Sequence, residues 1–280
     1  MILAIASGKG GTGKTTVSLN LAKSLGRPVQ LLDCDVEEPN AHLFLSGKPG
    51  AESVVTVPVP VIDATRCDLC GECGRVCQFH AIAVVKPGPI VFPELCHGCG
   101  GCVLACPQKA ISEKDRRIGA VETLKSGDIT LIMGRLDVGV SLVPPLIRAV
   151  KSRLNPEIPA ILDAPPGTSC PVVATIRDTD YVLLVTEPTP FGLNDLALAV
   201  DMVRELKIPF GVVVNRAGSG DDGVNAYCRE QGIPILLEIP DDRRIAEAYS
   251  RGVLMVDALP EYRKMFADLA DTLAATNGKK

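Results

Sequence analysis

Two groups of residues in this sequence have types and spacings that could do chemistry. The first is Gly8-Lys9-Gly10-Gly11-Thr12-Gly13-Lys14-Thr15, which follows the apolar run Ile2–Ala6 and precedes a helically patterned stretch, Thr15 to Leu25. Glycines at these positions let consecutive backbone N–H groups turn toward one centre, and a helix N-terminus adds partial positive charge there. Lys14 then reaches the β- and γ-phosphates of a bound triphosphate, and the Thr15 hydroxyl is offered to Mg²⁺. Gly8 to Thr15 and the adjoining Thr16 are therefore the candidate ATP-binding residues.

The second group is a crowd of thiols. Eight of the 11 cysteines lie between Cys67 and Cys106. Cys67, Cys70, Cys73 and Cys77 recur as Cys96, Cys99, Cys102 and Cys106, each 29 positions later, and Ala81-Ile82 returns as Ala110-Ile111. This is a duplicated half-module. Four thiols with gaps of two, two and three residues suit a polynuclear iron–sulfur core; zinc sites more often use two pairs separated by a longer loop, and disulfides belong to oxidising compartments. His97 reads as a spacer between ligands. His42 and His80 carry no pattern, and Cys34, Cys170 and Cys228 stand singly as free thiols.

The elements that must position these groups are legible outside the cysteine region. Short apolar runs at Val29–Leu32, Ile129–Met133, Ala160–Leu162, Tyr181–Val185, Phe210–Val214 and Ile235–Leu237 alternate with helical patterns at Leu142–Leu154, Asn194–Leu206 and Gly223–Gln231. Such alternation predicts an α/β fold, a mostly parallel sheet with helices on both faces. Tyr262, Met265, Phe266, Leu269 and Leu273 form one stripe of a last helix, whose other face mixes Asp268 and Asp271 with Arg263 and Lys264. Packing against the sheet is the expectation for it, not membrane binding, and Lys279 and Lys280 add too little charge to alter that. The segment from Pro58 to about Ser112 breaks the rhythm. The expected organisation is one discontinuous domain, residues 1–57 and 116–280, with residues 58–115 inserted as a small α+β unit.

Composition narrows the function classes. With 29 basic and 33 acidic residues, a net charge of −4 and no long run of one sign, the chain lacks an electrostatic track for nucleic acid. Neither a signal peptide nor a membrane-spanning run is present, so a reduced, cytoplasmic setting is expected. No Trp and 4% aromatic residues imply an aliphatic core.

Lys9 is a cation that phosphate binding does not itself require, and with it the loop resembles that of the ParA/MinD family, which includes the nitrogenase iron protein and iron–sulfur carrier ATPases. The resemblance implies that Lys9 contacts the nucleotide of a second subunit, so that ATP closes a homodimer. It implies further that Asp35, in Leu31-Leu32-Asp33-Cys34-Asp35, orients the attacking water while Asp33 supports the Mg²⁺ shell, although both also suit strand-end caps. Asp163, in Ile161-Leu162-Asp163-Ala164-Pro165-Pro166-Gly167, is implied as a Mg²⁺ residue, and Asn215 as an adenine contact. Lys9, Lys14 and Asp35 are thus the catalytic candidates.

The cysteine repeat resembles two-cluster bacterial ferredoxins, in which the fourth cysteine of each half serves the opposite cluster. Carried over, one 4Fe–4S cluster takes Cys67, Cys70, Cys73 and Cys106, and the other takes Cys77, Cys96, Cys99 and Cys102. Gly71, Gly100 and Gly101 would bend the backbone around them. Pro107 follows Cys106 as in the ferredoxin pattern, whereas Gln78 follows Cys77, a departure that touches the second cluster's surroundings and not its ligands. Together the motifs imply an ATPase that couples dimerisation to electron transfer or docking with a redox or metalloprotein partner. A cluster carrier or assembly ATPase is the alternative, against which stands the lack of a CxxC pair outside the insert. A MinD-like spatial organiser is a third reading, for which the sequence offers no basic surface.

Overall fold

The computed structural model describes residues 1–277, so Lys279 and Lys280 lie outside the described residues. In chain order the strands and helices are β1 (Ile2–Ala6), α1 (Lys14–Ser24), β2 (Val29–Asp33), β3 (Lys48–Ile62), α2 (Glu72–Val76), β4 (Ile82–Val84), β5 (Pro89–Val91), α3 (Gly101–Ala105), β6 (Ile111–Ser126) and β7 (Ile129–Leu136). There follow α4 (Pro144–Lys151), β8 (Ala160–Asp163), α5 (Cys170–Ile176), β9 (Tyr181–Thr186), α6 (Pro190–Glu205), β10 (Phe210–Ala217), α7 (Gly223–Glu230), β11 (Ile235–Pro240), α8 (Arg243–Ser250), α9 (Met255–Ala258) and α10 (Arg263–Asn277).

Nine strands form one sheet in the order β11-β10-β9-β1-β8-β2-β7-β6-β3. The seven from β11 to β7 are parallel, and β6 and β3 extend the sheet antiparallel. Parallel strands must be covered on both faces, which explains their unbroken Val/Ile/Leu runs. On one face Leu146 and Ile147 of α4, Val172 of α5, Val200 of α6 and Val224 of α7 join the core. On the other, Val17 and Leu21 of α1 meet Phe266, Leu269 and Leu273 of α10, so the last helix packs as expected.

The cysteine region is reached through a long two-stranded arm. β3 and β6 pair from Lys48↔Lys125 out to Ile62↔Ile111, which puts the expected domain boundaries, 57/58 and 115/116, inside continuous strands. Sequence reading missed the arm because Ser112–Arg117 is wholly charged or polar and Val54–Ile62 contains Pro58 and Pro60. Both features fit an edge. β3 has no neighbour beyond β6, and prolines two residues apart leave their missing N–H groups on the same, outer side. Beyond the arm, β4 and β5 form a two-stranded antiparallel sheet, and α2 packs beside α3.

Candidate functional site

The first site lies at the carboxyl ends of the parallel strands, where open α/β sheets bind ligands. The loop after β1 enters α1 through Gly13, whose φ of 97° is left-handed. A Cβ there would stand 2.4 Å from Asn215 Nδ2, so the position is closed to larger residues by space as well as by conformation. Lys14, the first residue of α1, is 7% exposed. Burial lowers the pKa of its ammonium, while Asp163 and Asp35 pull the other way.

Two carboxylates, Asp163 and Asp35, face this lysine from neighbouring strand ends. Asp163 closes β8; both of its oxygens are buried and neither has a hydrogen-bond partner among the described residues. Burial raises its pKa, against the Thr15 hydroxyl and the Lys14 ammonium. A buried carboxylate without a donor is costly unless a cation completes it, so Asp163 and the Thr15 hydroxyl fit a Mg²⁺ ion and its water shell. Asp35 is pushed up to about 6, chiefly by burial, with Lys14 opposing.

Asp33 is engaged by backbone. Its Oδ1 accepts from the Asp35 amide at 3.1 Å, and its Oδ2 accepts from the Asn40 and Ala41 amides at 3.1 Å each. The carboxylate thereby pins the loop that presents Asp35. Asn215 is tied to the phosphate loop. Its Nδ2 donates to the Thr12 carbonyl at 2.9 Å and its Oδ1 accepts from the Arg216 amide at 3.0 Å, so each end of the amide makes a contact that supports the phosphate loop. The turn after Asp163 is tied to the same loop, since the Gly167 amide donates to the Ser7 carbonyl at 3.0 Å.

Sequence reasoning missed Glu187, just past β9. It is 8% exposed and lies 3.5 Å from Lys9 Nζ and 2.9 Å from Arg216 Nη1. The available signal was an acidic residue ending the run Tyr181–Thr186 on a strand of the parallel sheet, but its neighbour in space is set by strand order, with β9 lying beside β1.

The second site is the cysteine module. Cys67, Cys70, Cys73 and Cys106 line one hollow. Cys77, Cys96, Cys99 and Cys102 line another. Each hollow therefore takes three thiols from one half of the repeat and the fourth from the other. Among the described residues no three His, Cys, Asp or Glu side chains converge as one metal ion would need.

The backbone repeats with the thiols. Gly71 and Gly100, at φ 82° and 70°, start α2 and α3, and the pairs Leu69/Gly98 and His80/Lys109 share left-handed φ values at the same offset. The Ala81 amide donates to Cys77 Sγ and the Ala110 amide to Cys106 Sγ, both at 3.3 Å. The Gly98 amide donates to Cys96 Sγ at 3.4 Å. Amides aimed at sulfur stabilise thiolates and tune whatever metal they hold. Cys70 and Cys99 are exposed and Cys73 is buried, so each hollow opens to solvent on one side. Of the other cysteines, Cys34 and Cys228 are buried and Cys170 is exposed.

This fold and loop define a P-loop ATPase. The chain belongs to the CobQ/CobB/MinD/ParA nucleotide binding domain family, whose model matches residues 3–255. It is 34% identical over 265 residues to an uncharacterized protein of Methanocaldococcus jannaschii, covering 90% of each chain. It is 29% identical to an iron-sulfur cluster carrier protein of Aquifex aeolicus, covering 98% of this chain and 67% of that one. Among solved structures, the cell division ATPase MinD of Pyrococcus furiosus shares the fold with a TM-score of 0.59 at 22% identity, covering 98% of each chain. Among the described residues no helix is long and apolar enough to cross a membrane.

Proposed function

We infer that the chain is a MgATP-dependent ATPase that handles iron–sulfur clusters through its inserted module. The observation that carries this reading is the sorting of eight thiols into two hollows of four, each crossed between the halves of the repeat. In this reading residues 58–115, with the outer arm, form a ferredoxin-like unit. Cys67, Cys70, Cys73 and Cys106 hold one 4Fe–4S cluster, and Cys77, Cys96, Cys99 and Cys102 hold the other. When bound, the clusters supply one-electron chemistry or serve as cargo.

At the sheet, Lys14 and the loop amides take the phosphates, Thr15 and Asp163 take Mg²⁺, and Asp35 orients water. Lys9 reaches the nucleotide of a second copy, so that ATP closes a homodimer. Reduced thiols in this number fit a reducing compartment such as the cytoplasm.

Relatives named iron-sulfur cluster carrier proteins favour the carrier role. Cargo would sit in the insert, because the ATPase part offers one exposed cysteine, Cys170, and no CxxC pair. Electron transfer to a redox or metalloprotein partner is the second reading, favoured by the crossed thiol sets: a cluster tied to both halves of a module is better suited to staying than to leaving.

One experiment addresses both levels. Anaerobically purified protein should contain about eight irons per chain, and Cys106→Ser should leave about four, with the loss confined to the cluster of Cys67, Cys70 and Cys73. Loss confined instead to the cluster of Cys96, Cys99 and Cys102 would sink the crossed assignment. Mixing loaded protein with an apo-ferredoxin then separates the roles: MgATP-dependent delivery of iron marks a carrier, while full retention with a nucleotide-dependent shift in potential marks electron transfer.

A further inference from the structure

Glu187 grips two cations with one buried carboxylate. Its Oε2 stands 3.5 Å from Lys9 Nζ, and its Oε1 stands 2.9 Å from Arg216 Nη1, the latter off the angle of a hydrogen bond so that Oε1 remains an unfilled acceptor. The backbone beneath the carboxylate is fixed: the Thr189 amide donates to the Glu187 carbonyl at 2.8 Å, and a Cβ on Gly192 would lie 2.2 Å from that oxygen. The cations are the exposed ends, with side chains 33% exposed for Lys9 and 58% for Arg216, against 11% for Glu187. Asn215, next to Arg216, holds the Thr12 carbonyl of the same phosphate loop.

The two cations have different fates open to them. A lysine turned toward its own Glu187 is not free to reach a nucleotide in another chain. If it leaves, a buried carboxylate with no partner would be strongly unfavourable, and Arg216 is already in place as the remaining counter-ion. We propose that Glu187 is a positioning residue: it holds Lys9 within its own chain before ATP binds and releases it on dimer closure, with Arg216 staying behind to neutralise the carboxylate. The inference rests on the dimer reading above and adds to it the residue that restrains Lys9 and the one that lets it go.

The two partners then have opposite effects. Glu187→Gln removes the restraint and should tighten the dimer formed with Mg²⁺ and a non-hydrolysable ATP analogue. Arg216→Gln leaves Glu187 to Lys9 alone and should weaken it. Each partly exposed ion pair is worth up to about fivefold, and a closing dimer releases two lysines, so a change of about three- to tenfold is expected in each direction. The double variant should behave as Glu187→Gln.

Sedimentation velocity on the metal-loaded protein over a range of concentrations reads these constants, with Lys9→Ala as control and fluorescent-ATP binding to the monomer as the check on nucleotide affinity. Opposite shifts with unchanged monomer affinity support the proposal. An unchanged or weaker Glu187→Gln dimer, or an Arg216→Gln dimer as tight as the parent, overturns it while leaving the dimer reading intact. A parent that stays monomeric with the analogue, or a Lys9→Ala chain that dimerises normally, overturns the dimer reading and this proposal with it.

Discussion

At the nucleotide end, Lys14, Asp33 and Asp163 are 7%, 1% and 1% exposed, set on a sheet whose two faces are both covered. In the cysteine module the apolar core comes down to Cys73, Ile82 and Ile111 with a few half-buried neighbours. The first region is held by strands that belong to the whole domain and carry its charges. The second has little hydrophobic core of its own, the usual situation of modules completed by a metal. Under the proposed function, nucleotide therefore meets a site that the sheet already shapes, whereas a bound cluster would be part of what folds the insert.

Three measurements test that contrast. The largest effect is expected from Lys14→Ala, which should lower ATP turnover by roughly 10²–10³-fold, the scale for losing one charge-stabilising donor. Its iron content should equal the parent's; a joint loss would mean that the two regions fold as one unit. Next, chelating the iron should speed hydrogen exchange of α2, α3, β4 and β5 amides by ~100-fold or more while β1, β8 and β9 keep their protection. Unchanged exchange in the insert would show that its core suffices after all.

The smallest effect tests the seam between the arm and the nucleotide end. A Cβ on Gly134 of β7 would stand 2.5 Å from Val36 Cγ1 and 2.9 Å from Val150 Cγ2, and the Leu136 amide donates to the Val36 carbonyl at 2.9 Å. Gly134→Ala should therefore cost ~1–3 kcal/mol by overpacking, measured by thermal or denaturant unfolding. Because Val36 follows Asp35, ATP hydrolysis should fall more than ATP binding, with iron content untouched. A variant of parental stability would mean that the seam yields freely and transmits nothing.

Much of this was legible in the residues. The phosphate loop, the parallel strands and the duplicated cysteine half were readable because each depends on local demands: glycine where φ is positive, aliphatic runs where both faces are buried, thiols at the reach of one core. The arm was not. On β6 the outer residues Ser112–Asp115 are exposed whichever way they point, so no hydrophobic period marks Ser112–Arg117.

The sequence by itself determined which residue types meet a nucleotide and which thiols recur, down to the 29-residue offset that the backbone angles repeat. Tertiary structure decided the partners. Asn215 reaches Thr12 across 203 positions, Glu187 reaches Lys9 because β9 lies beside β1, and Cys106 faces the hollow of the opposite half because α3 packs on α2. The physical reason is the same in each case: local spacing fixes what a side chain can do, while strand order and helix packing fix what it is near.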